Sequence, residues 1–285
     1  MNARIKNIPV IDSHLHLWDV ELMDYPWLQE VSAINRSFYI GDYQDQTAGL
    51  NLEKMVFVQC ECLPHQNVDE IKFVEQQALK DSRIKGIVAY APMEKGEAII
   101  PLLELFKKNP LIKGIRRMYD DTPECCTDPD FLTAVRLLPQ YGLSMDLSIK
   151  PGSVAQTLSL ISACPETQFI LDHLGKPDIK HNGFDQFKQD ADAFAQLPNV
   201  VAKVSGLITE ADWNNWSGEE ISGYILHAID CFGFDRLMFG GDWPVVLLAG
   251  TYNEWLQALF RSLEKYSDED LRKLFYDTAC KVYRI

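Results

Sequence analysis

A two-beat repeat runs through almost the whole chain and limits what it can fold into. Each beat is a short apolar run followed by a stretch with apolar residues at helical spacing. Runs at residues 55–61, 84–91 and 112–119 precede predicted helices over 68–80, 97–108 and 131–140. Runs at 143–149, 168–173, 200–205 and 236–242 precede helices over 154–163, 184–196, 219–231 and 252–266. The opening run, 10–19, starts the series, and a last helix capped by Ser267 with Asp270 three residues on ends it. Short apolar runs bounded by polar residues read as strands buried on both faces. Strands that alternate with helices pair in parallel, because each helix is a crossover. Eight such units in 285 residues, with no Ser/Pro-rich linker between them, predict one (β/α)8 barrel over residues 1–285. The runner-up is a doubly wound open sheet. It requires a glycine-rich phosphate turn after the first strand, where this chain has Ser13-His14-Leu15-His16, and no G-x-x-x-x-G-K-[ST] occurs anywhere.

A barrel of this kind carries its chemistry at the C-terminal ends of its strands. Strict alternation puts Asp12, His14 and His16 on one face of the first strand, so two imidazoles can point at one small object. The other strand ends offer Glu61, Arg116 and Arg117, Asp146 and Lys150, Asp172 and His173, Lys203, and Asp242. Three histidines and an aspartate from strands 1, 6 and 8 make either a metal-ligand set or an acid–base set. Blander roles are open to several. Asp172 can simply orient His173. Arg116 and Arg117 face opposite sides, so one at most enters the site. Lys203, in a mostly apolar strand, must reach a carboxylate, a substrate or water. Trp27 on the first loop, and Trp213 and Trp216 after strand 7, are candidates for a wall that stacks on a sugar. His65, His181 and His227 have no matching partner and read as ordinary surface histidines.

Composition narrows the partners. A net charge of −14 argues against nucleic acid and anionic membranes, which both need a basic face. No apolar stretch reaches the ~18 residues of a membrane span, and the N-terminal residues enter the first strand without a signal-like apolar region, so a cytoplasmic protein is expected. The seven cysteines lack paired zinc-ribbon spacing and read as reduced thiols.

The segments Ile11-Asp12-Ser13-His14-Leu15-His16-Leu17-Trp18-Asp19, Tyr25-Pro26-Trp27-Leu28, Gly114-Ile115-Arg116-Arg117, Asp172-His173-Leu174-Gly175-Lys176-Pro177, Lys203-Val204-Ser205-Gly206-Leu207 and Arg236-Leu237-Met238-Phe239-Gly240-Gly241-Asp242-Trp243-Pro244-Val245 together resemble the lactonase branch of the amidohydrolase superfamily. The resemblance covers nearly the whole chain. It implies hydrolysis of a sugar-acid lactone such as L-fuconolactone or L-rhamnonolactone, with His14, His16, His173 and Asp242 as the catalytic set. Gly241 stands where the family usually has serine, and Asp277-Thr278-Ala279 where it tends to have Gly-x-Asn-Ala.

Members of the family range from two zinc ions to none. Strand 5 shows Asp146 in place of the histidine of binuclear relatives, so at most one divalent ion is expected, zinc foremost, or none. Its ligands would be His14, His16 and Asp242, with Glu61 in reserve. Arg116, Arg117, Trp27 and Lys203 are the expected substrate contacts. A small-molecule lactone is then the partner. The oligomeric state is not legible. The rivals are a metal-dependent decarboxylase or an amide hydrolase on the same barrel, and a catalytically dead sugar-binding barrel.

Overall fold

The computed structural model describes residues 4–119 and 122–285. The first three residues of the N-terminal stretch lie outside them. Eight strands form one parallel sheet in sequential order: β1 (Val10–Leu15), β2 (Leu52–Val58), β3 (Ile84–Ala89), β4 (Ile112–Arg116), β5 (Ser144–Leu147), β6 (Phe169–Leu171), β7 (Val200–Val204) and β8 (Leu237–Phe239). The ring closes just beyond β8, where Asp242 N donates to His14 O at 2.8 Å and His16 N donates to Trp243 O at 2.8 Å. This is the predicted (β/α)8 barrel.

The helices are α1 (Ile40–Gln46), α2 (Asn67–Lys80), α3 (Ile100–Phe106), α4 (Pro129–Leu137), α5 (Val154–Ala163), α6 (Phe184–Ala195), α7 (Gly218–Phe232) and α8 (Tyr252–Ser262). After them come α9 (Asp268–Arg272), a π turn (Lys273–Asp277) and α10 (Thr278–Tyr283). Residue types explain several starts. Thr251 with Glu254, and Ser267 with Asp270, form reciprocal capping boxes that satisfy the free N–H groups of the first turns of α8 and α9. Among the described residues no helix is long and apolar enough to cross a membrane.

The pleat sorts side chains into two cores. Met55, Phe57, Ile87, Phe169, Leu171 and Phe239 point outward and pack under the helices. Their neighbours Val56, Val58, Val88, Ile170, Val201 and Met238 point inward with Ile11. They fill the lower barrel, which Ala279, Val282 and Tyr283 of α10 plug from below.

β1 breaks the expected alternation. Its register against β2 shifts between Asp12 and Leu15, so Ile11 and His14 both reach the interior while Asp12 turns out. Asp12 does not share a face with the histidines. Its carboxylate accepts hydrogen bonds from Tyr43 Oη (2.6 Å), Tyr252 Oη (3.0 Å), Gly241 N (2.8 Å) and His14 N (3.0 Å). A Cβ on Gly241 would sit 2.2 Å from the Tyr252 ring and 2.4 Å from Asp12 Oδ2. Glycine there leaves room for the Asp12–Tyr252 bond.

Candidate active site

The seam that closes the barrel also assembles the site. Asp242 follows β8 and is tied by its N–H to His14, which brings its carboxylate beside the strand-1 imidazoles. His14 Nε2 and His16 Nε2 are 3.1 Å apart, and Asp242 Oδ1 lies 3.7 Å and 3.5 Å from them. His16 Nδ1 is 2.7 Å from Val58 O. A carbonyl only accepts, so Nδ1 carries the proton and Nε2 the lone pair. His14 Nδ1 lies 3.4 Å from Asp172 Oδ1 and 3.3 Å from Lys203 Nζ, so each tautomer of this ring finds a partner there. Burial holds His14 well below its ordinary pKa, so it is neutral. With His14 protonated at Nε2 the 3.1 Å contact is a hydrogen bond to His16; with Nδ1 protonated the two lone pairs face each other across a gap that suits a cation.

These residues fit one divalent ion. A tetrahedral centre with bonds near 2.0–2.1 Å has ligand–ligand edges of about 3.3–3.4 Å, and the observed triangle of 3.1, 3.5 and 3.7 Å brackets that length. Three protein ligands leave a fourth position for water or substrate. Burial alone would raise the Asp242 carboxyl, but His173, His16 and His14 face it and hold it well below the usual carboxylate range.

Beneath this triangle lies a layer of buried charge. Lys203 Nζ contacts Asp146 Oδ2 at 2.7 Å and Asp172 Oδ1 at 2.9 Å, and sits 3.3 Å from His14 Nδ1. Arg116 Nη1 donates to Asp172 Oδ2 at 3.3 Å, and Tyr283 Oη donates to Asp146 Oδ2 at 2.7 Å. Lys203 and Arg116 match Asp146 and Asp172 in number. Asp242, in the triangle above, faces histidines rather than Lys203 or Arg116.

Above the layer opens a cavity of about 350 Å³ whose wall includes His16, Trp27, Glu61, Arg116, His173 and Asp242. It falls within the ~300–1,000 Å³ of small-molecule pockets. Backbone strain concentrates here. Seven described non-glycine residues have positive φ, and four of them line the cavity: Glu61, His173, Lys176 and Asp242. His173 is steadied by Ser205, whose Oγ is 2.9 Å from Nδ1, and burial pushes its pKa down to about 4. Gly206, at φ +60, lets this corner close up, since a Cβ there would lie 2.4 Å from His173 Nδ1 and 3.0 Å from Asp242 Oδ2.

His14, His16, His173 and Asp242 therefore come together, and Arg116 and Trp27 reach the cavity. Several other expected contacts do not. Lys203 is fully buried under His14 and off the cavity wall, because two carboxylates hold it there. Arg117 points the other way, to Glu94 and over the Tyr90 ring. Glu61 lines the cavity but is hydrogen-bonded to Gln59 and lies outside the histidine–aspartate triangle, so it is not placed as a metal ligand. Trp213 and Trp216 donate to Thr209 O and Ala249 O and are not on the wall. Asp172 does orient a histidine, but it is His14. Sequence reasoning missed Met118, Ser148, Lys176, Thr209, Glu210 and Val245, which also line the cavity. Lys176 and Val245 carried a signal, each standing in one of the motif segments named above. The others carried none.

An uncharacterised protein of Sinorhizobium fredii is 31% identical over 300 residues, which cover 99% of this chain and 100% of that one. An L-fucono-1,5-lactonase of Burkholderia ambifaria is 28% identical over 282 residues, 96% of this chain and 95% of its own length. Among solved structures, an amidohydrolase of Burkholderia multivorans with bound zinc superposes at a TM-score of 0.89 and 27% identity, over 97% of this chain and 99% of that one. The amidohydrolase family model matches residues 11–285. The chain belongs to the amidohydrolase family.

Proposed function

We propose that this protein is a lactonase that hydrolyses the ring ester of a sugar-acid lactone, using one divalent ion, zinc by preference, held by His14, His16 and Asp242. The observation that carries the reading is the His14–His16–Asp242 triangle, of which His16 and Asp242 line a cavity of sugar size, in a chain that matches an L-fucono-1,5-lactonase over 96% of its length.

Bound at the triangle, the ion supplies a Lewis acid that makes a water more acidic and polarises a carbonyl. The chain's own groups do the rest. Asp242, ionised at neutral pH, takes a proton from the attacking water through the oxygen that does not face the strand-1 histidines. His173, neutral and held by Ser205, orients that water. The water oxygen adds to the carbonyl carbon, the bond to the ring oxygen breaks, and the proton passes from Asp242 or His173 to that oxygen. Arg116 faces the substrate from the far wall, and Trp27, fixed by its N–H to Cys60 O at 2.8 Å, offers an apolar face to the ring.

The test is acid release from a panel of aldonolactones, L-fucono-1,5-lactone and L-rhamnono-γ-lactone included, with elemental analysis of the same protein. The reading expects hydrolysis well above the spontaneous rate for at least one lactone, with about one divalent ion per chain. Release no faster than in buffer across the panel would overturn the activity. Two tightly held ions per chain would overturn the single-ion centre.

A further inference from the structure

Away from the barrel mouth, a second trio of metal-ligating side chains stands together. Asp192 of α6, with His227 and Cys231 of α7, each offer one ligand atom within 4.8 Å of the other two. His227 reads from the sequence as an ordinary surface histidine, yet its Nε2 lies 3.1 Å from Asp192 Oδ1. His227 and Cys231 are four residues apart on one helix and so share a face. Asp192 reaches them from the neighbouring helix. Both helices run back from the strand ends, so their last turns lie away from His173 and Asp242.

Two features hold the trio in place. The His227 ring meets Phe184 and Phe187 edge-on, with centroids 6.3 and 5.9 Å away, which fixes its plane. Arg236 donates to Ala195 O and Leu197 O at the end of α6, and to Cys231 O and Phe232 O at the end of α7. One guanidinium thus ties the two helix ends and sets the gap that Asp192 spans. The Asp192 carboxylate pairs with His227 rather than with a lysine or arginine, and its side chain is 59% exposed, so an ion can reach it from solvent.

Cys231 Sγ donates to His227 O at 3.0 Å, and burial, with Asp192 and Asp230 nearby, pushes its thiol up to about 11. A divalent ion that takes the sulfur sends that proton to water. Thiolate, carboxylate and neutral imidazole then carry two negative charges and neutralise the ion. Bonds of about 2.0–2.3 Å give ligand edges of about 3.3–3.6 Å at a tetrahedral centre. Rotation of Asp192, and of Cys231 off its carbonyl, closes the trio to that size. Sulfur with imidazole suits zinc, whereas magnesium and calcium take oxygen.

We propose that Asp192, His227 and Cys231 form a second metal site, a clamp between α6 and α7 that takes one zinc ion with water as the fourth ligand. It is open to solvent, and one ligand must first shed a proton, so its ion exchanges on gel filtration. The tightly held ion belongs to the His14–His16–Asp242 triangle. The clamp does not depend on the lactonase reading.

The experiment titrates gel-filtered protein with Co²⁺ and reads the thiolate-to-cobalt charge-transfer absorption. The triangle offers no sulfur, so the band reports the clamp separately from the active site. The parent should show the band, and added Zn²⁺ should bleach it. Cys231→Ser should abolish it, and Asp242→Asn should leave it unchanged. His227→Ala should weaken the apparent affinity by about tenfold or more, since even groups behind a ligand matter that much. No band in the parent would overturn the clamp. So would a band that Cys231→Ser retains, an affinity unchanged in His227→Ala, or a band lost in Asp242→Asn.

Discussion

The two halves of the barrel interior are built on opposite principles. The lower half is apolar, with Ile11, Val56, Val88, Ile170, Val201 and Met238 closed from below by Ala279 and Val282. The upper half, on the same strands a step or two further along, is ionic: Arg116, Asp146, Asp172 and Lys203 lie under His14, His173 and Asp242. One residue spans both. Tyr283 packs its ring in the lower cluster and donates its hydroxyl to Asp146. The lower half is an ordinary core whose value is packing and the hydrophobic effect. The upper half is a poor stabiliser for its volume, since burying charge costs much of what pairing returns. What it supplies is orientation: a fixed His14 ring and an acidic carboxylate beside it. Substitutions should therefore split cleanly, with stability lost below and activity lost above.

The largest departure expected from that split is Lys203→Met. Lys203 is the cation shared by two buried carboxylates, and removing one member of a buried ionic group costs about 3–5 kcal/mol. Urea unfolding should show that loss, and Lys203→Met with Asp146→Asn should recover part of it. No loss would mean the upper layer is not the tightly coupled unit described. Met238→Ala probes the lower half. A buried methionine truncated to alanine costs about 2–4 kcal/mol, while kcat of the folded fraction should stay within about twofold of the parent. A tenfold fall in kcat would join the halves. Tyr283→Phe keeps the ring and deletes one buried hydrogen bond. It should cost about 1–2 kcal/mol with little change in turnover.

A further departure from the split concerns pH. Glu70 is buried behind Cys60, whose N–H donates to it, and burial pushes its carboxyl up to about 8. A carboxyl raised in the folded state keeps its proton there while the unfolded chain has already lost it. Its contribution is complete below the ordinary value of 4.5 and declines as pH rises to about 8. Glu70→Gln lacks that decline, so its melting temperature should gain on the parent between pH 5 and 8. A constant difference would show that Glu70 does not titrate in that window.

The repeat made the barrel legible because each short strand is an apolar run ended by a polar residue. The same regularity hid the bulge in β1. Alternation assumes an unbroken pleat, and nothing in Val10-Ile11-Asp12-Ser13-His14 marks the extra residue that turns Asp12 outward. Arg116 and Arg117 were separable as opposite-facing, but only the register against Asp146 says which one points in. For Lys203 the sequence predicts a carboxylate, a substrate or water as partner; the double carboxylate contact depends on Asp146 and Asp172 meeting across β5 to β7, which is tertiary. Ser148 could not have been picked out, because a serine is conspicuous only when its surroundings leave it unpartnered.

The most direct test is one paired measurement on Asp242→Asn: lactone turnover and melting temperature on the same preparation. In the proposed lactonase the ionic half holds and uses this carboxylate, so turnover of a lactone that the parent opens should fall by a factor of about 10² to 10⁴, with melting within a few degrees of the parent. Turnover near the parent's rate by the folded variant would contradict the account.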